Sequence, residues 1–379
     1  MEEIKKTGDS AEVKTEAYVE VDKNLIVAEK IGKPDVKLYN VKEEPFSIYG
    51  LYDPYGEELF RRLPADVAEA TSPGVTRLAK GTPGGRVRFA TDSSYIAIKA
   101  IMPVVGRASH VPLAAYAGFD LYEDYDGFGE SRFVKAFLPK VDISNGYEQV
   151  IEIGGERRMR YFTINFPLTS NIKELYVGIE ESATLGEGLK YRNAKPIVIY
   201  GSSIVHGTGA TRPGYVYSNI LTRRLNMDVR NLGFGGNAKG EDAIVDYMRE
   251  LPMCIFVCDY DHNAPNPEHL KNTHLRLYQR FREVQPDTPY VIISRPNVAT
   301  YTASEPYERR NIIFDTLRYA KEQGDRRIWY IDGESFFLGA NENDCTIDTV
   351  HPNDMGYSLM ADGIEAVIRQ IMMEVDCLN

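Results

Sequence analysis

After Lys195 the chain alternates short, β-branched apolar runs with amphipathic stretches of about ten residues or more, and few folds accept that rhythm. The runs Ile197–Tyr200, Val229–Leu232, Cys254–Cys258, Tyr290–Ser294 and Ile328–Ile331 read as strands. Between and after them, Gly214–Leu225, Glu241–Arg249, Pro267–Val284, Pro306–Glu322 and Met355–Met373 read as helices. Near-continuous apolar strands imply burial on both faces, hence an α/β fold with a parallel, doubly wound sheet. In such sheets a ligand site lies beyond the carboxyl ends of the strands.

The preceding half has a different texture. Arg86–Ala90, Tyr95–Ala100, Phe133–Phe137, Gln149–Ile153, Arg160–Phe166 and Glu174–Ile179 alternate at period two, with Gly, Asn and Asp between them. That pattern predicts an antiparallel β-sandwich without long helices. The 379 residues therefore divide into an N-terminal extension over 1–35, a sandwich over 36–192 and an α/β domain over 193–379.

A net charge of −11, spread along the chain, speaks against nucleic acid or an anionic membrane as main partner. No window approaches the roughly 18 uninterrupted apolar residues of a membrane helix. The charged start Met1-Glu2-Glu3-Ile4-Lys5-Lys6 lacks a secretory h-region, so a cytoplasmic location is expected. Cys254 and Cys258 are expected on one side of a strand as buried thiols, not as a redox pair.

The loops after successive strands carry the chemistry. Gly201-Ser202-Ser203 follows the first strand, as strand, tight turn and helix, the arrangement that projects a nucleophilic hydroxyl into a cleft. Asn231-Leu232-Gly233-Phe234-Gly235-Gly236-Asn237 follows the second and Asp259-Tyr260-Asp261-His262-Asn263-Ala264 the third. Asp348-Thr349-Val350-His351 precedes the last helix. A serine hydrolase needs a nucleophile, a base, an orienting acid and oxyanion donors, and this set supplies each. His206 and His262 are candidate pocket residues, whereas His269 and His274 are expected on a solvated helix face. Asp259, Asp261 and His262 are chemically able to ligate a metal, but no second cluster supports one, so no metal and no cofactor are expected. The Gly-x-Gly-Gly-Asn spacing does not match a dinucleotide loop.

In these blocks the chain resembles the SGNH hydrolases, flavodoxin-like relatives of the GDSL esterases. The resemblance implies Ser203 as nucleophile, His351 as base and Asp348 as its partner. It implies an oxyanion hole from Ser203, Gly236 and Asn263. Ser202 stands where aspartate is commonest, and Ala264 replaces an aspartate. Gly118-Phe119-Asp120-Leu121-Tyr122 matches the Gly-x-Asp-Leu-Tyr motif of one two-domain subgroup, implying a jelly-roll-like sandwich packed on the hydrolase. Asp120 and Tyr122 are expected on one side of a strand, with structural roles. The loop Tyr122–Phe128 is expected as an ordinary exposed hairpin, with contact to a sugar through its rings and acids as the alternative. The expected activity is removal of a short acyl group, acetyl above all, from a carbohydrate, with a small-molecule or oligosaccharide ester as the binding partner. An acyltransferase, or a non-catalytic carbohydrate-binding protein, are the alternatives. A homo-oligomer is compatible with the sequence.

Overall fold

The computed structural model describes residues 27, 30–125, 131–296, 305–339 and 342–375. Most of the extension expected over 1–35 lies outside these residues, as do Cys377 and the 126–128 part of the acidic, aromatic loop.

The N-terminal half contains β1 (Val36–Asn40), β2 (Ser47–Tyr49), α1 (Ala65–Thr71), α2 (Pro73–Leu78), β3 (Arg86–Thr91), β4 (Tyr95–Ile101), α3 (Leu113–Tyr116), β5 (Phe119–Asp124), β6 (Ser131–Phe137), β7 (Gly146–Glu152), β8 (Arg160–Asn165), β9 (Glu174–Glu180) and β10 (Leu185–Glu187). They form a four-stranded sheet, β1-β9-β4-β7, and a six-stranded one, β10-β3-β8-β5-β6 with β2 on β3. Every pairing is antiparallel. Phe89, Ile98, Phe119, Leu121, Phe162 and Val177 fill one shared core. In β5 this sends Phe119 and Leu121 inward, and Asp120 and Tyr122 to the opposite face, as a period of two demands.

The C-terminal half runs β11 (Ile197–Gly201), α4 (Ser203–His206), α5 (Tyr217–Leu225), β12 (Val229–Gly233), α6 (Asp242–Arg249), β13 (Ile255–Asp259), α7 (Pro267–Val284), β14 (Tyr290–Ile293), α8 (Glu305–Glu322), β15 (Ile328–Ile331) and α9 (Asp354–Glu374). Its five strands are parallel in the order β12-β11-β13-β14-β15. Ile197, Ile199 and Val257 pack under α5 and α9 on one face. Val198, Tyr200 and Phe256 pack under α6, α7 and α8 on the other. The strand order reverses at β11, so a crevice opens there between the strand ends.

Several expectations are corrected. The helix anticipated over Gly214–Leu225 is split: Pro213–Tyr215 is a separate 3₁₀ turn, and α5 starts only after Val216, whose ψ of 136° is extended. Cys254 and Cys258 do not share a face. β13 begins at Ile255, so alternation does not reach back to Cys254, which packs in the opposite apolar layer. Both thiols are buried. His274 lies in the buried stripe of α7 with Leu270, Leu277 and Phe281, and its Nδ1 meets Thr316 Oγ1 at 2.8 Å. His269 is half-buried and its Nε2 bonds the Lys239 carbonyl at 2.8 Å. Neither is on a solvated face.

The Gly-x-Asp-Leu-Tyr motif lies on the seam between the halves. Asp120 Oδ2 accepts from Arg212 Nη1 and from the Gly214 N–H, both at 2.7 Å, and Oδ1 accepts from Asn165 Nδ2 at 2.8 Å. Arg212 also donates to the Tyr122 hydroxyl and lies 3.8 Å from the Phe133 ring centroid. The segment between the candidate nucleophile and α5 is thus clamped by β5. Glu123 and Asp124, read above as loop residues, are buried strand residues paired with Arg132, Arg158 and Arg88.

Candidate active site

β11 ends at Gly201, where no side chain fits: a Cβ would lie 2.1 Å from the Asp259 carbonyl oxygen. The next two serines part ways. Ser202 is fully buried, and its hydroxyl caps α4 by accepting from the Ile204 N–H at 3.2 Å. Ser203 opens the helix, and its Oγ lies 2.8 Å from His351 Nε2. The Ser203 N–H, at the first helical position, has no acceptor within the helix. α4 ends after one turn at Gly207, whose φ of 110° suits only glycine.

His351 Nδ1 donates to Asp348 Oδ2 at 2.7 Å, which fixes the tautomer with Nε2 facing Ser203. Asp348 Oδ1 accepts the N–H groups of His351 at 2.7 Å and Val350 at 3.1 Å. Partial burial acts to raise the Asp348 pKa. The bonds from the His351 N–H, its imidazole and the Val350 N–H outweigh that and hold the carboxyl below its usual value. The loop is anchored on both sides. Asn353 caps α9 by accepting from the Gly356 N–H at 3.1 Å, and a Cβ on Gly209 would meet the Pro352 carbonyl at 2.3 Å.

The loop after β12 lies against the nucleophile. A Cβ on Gly233 would strike the His206 nitrogen at 2.3 Å, and one on Gly235 would lie 3.3 Å from Ser203 Cβ. Gly236, with φ 70°, faces open space. Its N–H donates to Asn263 Oδ1 at 3.1 Å, and Asn263 Nδ2 donates to the Phe234 carbonyl at 2.8 Å. One Nδ2 hydrogen remains available. The 3₁₀ turn Asp261–Asn263 is held by Asp261, whose carboxylate accepts from Arg295 N at 3.0 Å and Nε at 2.9 Å. Burial would raise the Asp261 pKa, but Arg295 and His262 draw it below normal. Asp259 is instead pushed well above its usual value by burial, and accepts from the Tyr217 hydroxyl at 3.0 Å. Among the described residues no group of three or more His, Cys, Asp or Glu is placed to hold a metal ion.

Of the two candidate pocket histidines, His206 is buried. Its ring spans from the Gly233 carbonyl (Nδ1, 3.0 Å) to Leu168 O and Thr169 Oγ1 (Nε2, 3.1 and 3.4 Å). Burial and the Arg62 guanidinium push its pKa down to about 3. Both ring nitrogens are thus taken up by contacts that bridge the two halves. His262 is also held down at about 3, by burial and Arg295, and its buried Nε2 has no partner among the described residues. His110 was not anticipated. It comes from the N-terminal half, and its Nε2 reaches 3.4 Å from Asp348 Oδ2, with its ring edge-on to His351 at 6.1 Å. No local pattern marks it, because its partner is far along the chain.

A parallel sheet in flavodoxin-like order, with serine, glycine, asparagine and histidine gathered at its switch point, defines an SGNH-type α/β hydrolase. A family model described as GDSL-like lipase/acylhydrolase matches residues 194–369, and one described as the N-terminus of the SGNH-hydrolase-type esterases, GxDLY, matches 36–185. Together the two matches span most of the chain and place it among the GDSL-like acylhydrolases with a GxDLY N-terminal domain. A crystal structure described as a GDSL-like lipase from Bacteroides ovatus superposes with a TM-score of 0.80 at 24% identity, covering 89% of this chain and 98% of that one. A salicylyl-acyltransferase from a tetracycline biosynthetic pathway gives 0.71 at 20%, covering 92% and 100%. A family two carbohydrate esterase from Clostridium thermocellum, in complex with cellohexaose, gives 0.59 at 12%, covering 78% and 94%. At these identities the similarity is one of fold. No curated protein sequence matches the chain.

Proposed function

We propose that this protein is a serine esterase that removes short acyl groups, acetyl above all, from a carbohydrate. The observation that carries the reading is the hydrogen-bonded line Ser203 Oγ–His351–Asp348, at 2.8 and 2.7 Å, beside Gly235, Gly236 and Asn263. In it, His351 takes the Ser203 proton as Oγ attacks the acyl carbonyl, and Asp348 stabilises the imidazolium. The Ser203 N–H and the spare hydrogen of Asn263 Nδ2 receive the oxyanion. The Gly236 N–H joins them by sharing its bond to Asn263 Oδ1. His351 then protonates the leaving alcohol, and water repeats the sequence on the acyl-enzyme.

The sugar half of the proposal draws on the fold shared with family two carbohydrate esterases. A transferase reading is favoured by the acyltransferase among the structural neighbours, since an acceptor alcohol can replace water at the same acyl-enzyme. One experiment separates these. Aryl esters of graded acyl length and acetylated oligosaccharides are assayed for acid release, with and without added alcohols. Fast acetate release from an acetylated oligosaccharide supports the proposal. Preference for chains of about eight carbons or more, with no acetate from any sugar, refutes it. Product formed only with an acceptor establishes the transferase.

A further inference from the structure

β12 is an edge strand of the parallel sheet, and the carbonyls of Val229, Asn231 and Gly233 face out toward the N-terminal half. Two arginines from that half meet them. Arg86 Nη1 donates to Val229 O at 3.2 Å, at the end far from the active site, and pairs with Asp228. Arg62 Nη1 donates to Asn231 O at 3.1 Å and Gly233 O at 2.6 Å, at the catalytic end.

Arg62 is the unusual one. It is 2% exposed and forms no ion pair among the described residues, although burying an unpaired cation is costly. Burial alone pushes its pKa down to about 9. Its remaining donors go to Gly81 O at 3.1 Å and Leu78 O at 2.8 Å, and its plane lies 4.5 Å from the Phe234 ring centroid. The four acceptors tie the end of α2 to the last carbonyls of β12, one residue before Phe234-Gly235-Gly236. The same short helix presses the loop elsewhere: a Cβ on Gly74 would lie 1.8 Å from Asn237 Oδ1, and Asn237 Nδ2 holds Gly235 O at 2.7 Å.

We propose that the segment from Arg62 to Gly81, through the Arg62 guanidinium, sets the position of the Gly235-Gly236 loop against Ser203. Arg62 is thereby a positioning residue for acyl chemistry carried out wholly by the other half. A fork with fixed geometry does this where a single ammonium cannot. The inference rests on the reading of Ser203, Gly236 and Asn263 as an ester-hydrolysing site.

The test compares Arg62→Lys, Gly74→Ala and Arg86→Lys in the full chain, using hydrolysis of an aryl acetate and labelling by an organophosphonate. Arg62→Lys keeps the charge but cannot span all four carbonyls. It should lose kcat by about tenfold or more with KM little changed, because misplaced donors fail chiefly in the transition state. Gly74→Ala, which displaces Asn237 without touching the guanidinium, should show the same split. Arg86→Lys should lower the melting temperature yet hold kcat within about threefold, since it loosens the seam away from the loop. Hydrogen exchange over residues 231–238 should quicken in Arg62→Lys and not in Arg86→Lys. Unchanged kcat in Arg62→Lys, or equal losses in Arg62→Lys and Arg86→Lys, overturns the proposal. If Arg62→Lys does not fold, wild-type kcat in Gly74→Ala overturns it instead. A wild-type protein that neither hydrolyses the ester nor takes the label fails the functional reading itself, a separate outcome.

Discussion

At the level of single residues, the two adjacent serines make the sharpest contrast. Ser203→Ala removes the hydroxyl facing His351 and should abolish organophosphonate labelling, with turnover reduced by about 10⁴-fold or more. Ser202→Ala removes a helix cap, so it should cost about 1 kcal/mol of stability while labelling survives. Labelling retained in the first variant and lost in the second would reverse the assignment. His110 is a finer case. Its side chain is 55% exposed and its contact with Asp348 is 3.4 Å long, so the pair contributes little. His110→Ala should change kcat/KM by less than about fivefold on a small aryl ester. A larger loss there would mean that the ring touches the substrate.

Among the elements, α7 shows how burial writes a pH dependence. His274 stands on the apolar stripe, and burial, only partly opposed by the Asp261 carboxylate, lowers its pKa to about 4. Between that value and the ordinary imidazole range the unfolded chain binds a proton that the folded chain does not. Stability therefore rises with pH across this window and is lost as pH falls, by at most about 1.4 kcal/mol per pH unit. Urea midpoints of the wild type and His274→Phe, compared at pH 4.5, 5.5 and 7, should converge toward acid; parallel curves would refute a neutral buried ring. The spacing Leu270, His274, Leu277, Phe281 carried this information in the sequence. Charged neighbours Lys271 and Arg276 masked it. The same limit runs through the rest of the chain. Five parallel strands and their helices were legible because burial on both faces leaves unbroken apolar runs. The blocks holding Ser203 and Asn263 were legible because they follow strands, and Asp348–His351 because an acid and a histidine three apart precede the last helix; their roles came from the family resemblance. The 3₁₀ break before α5, and the placement of Arg62, Arg212 and His110, were not. Each depends on a partner in the other half, and a single sequence holds no trace of such pairings.

For the whole molecule, the seam is the defining feature. Asp120 is fully buried and receives Arg212, the Gly214 N–H and Asn165, so Asp120→Ala leaves a guanidinium without its counter-charge. A loss of about 3–5 kcal/mol is expected in the unfolding free energy. Activity measured on the remaining folded protein should fall too, because Gly214 belongs to the segment that follows α4. A variant as stable as the wild type would mean that the clamp is incidental. The outward carbonyls of β12 carry this dependence further. Severed from the sandwich, the α/β half would present a bare sheet margin ready to recruit strands from its own copies, and it should precipitate when expressed alone. Recombination among relatives faces the same barrier: a hybrid inherits working chemistry only if its new N-terminal partner brings a guanidinium to that margin.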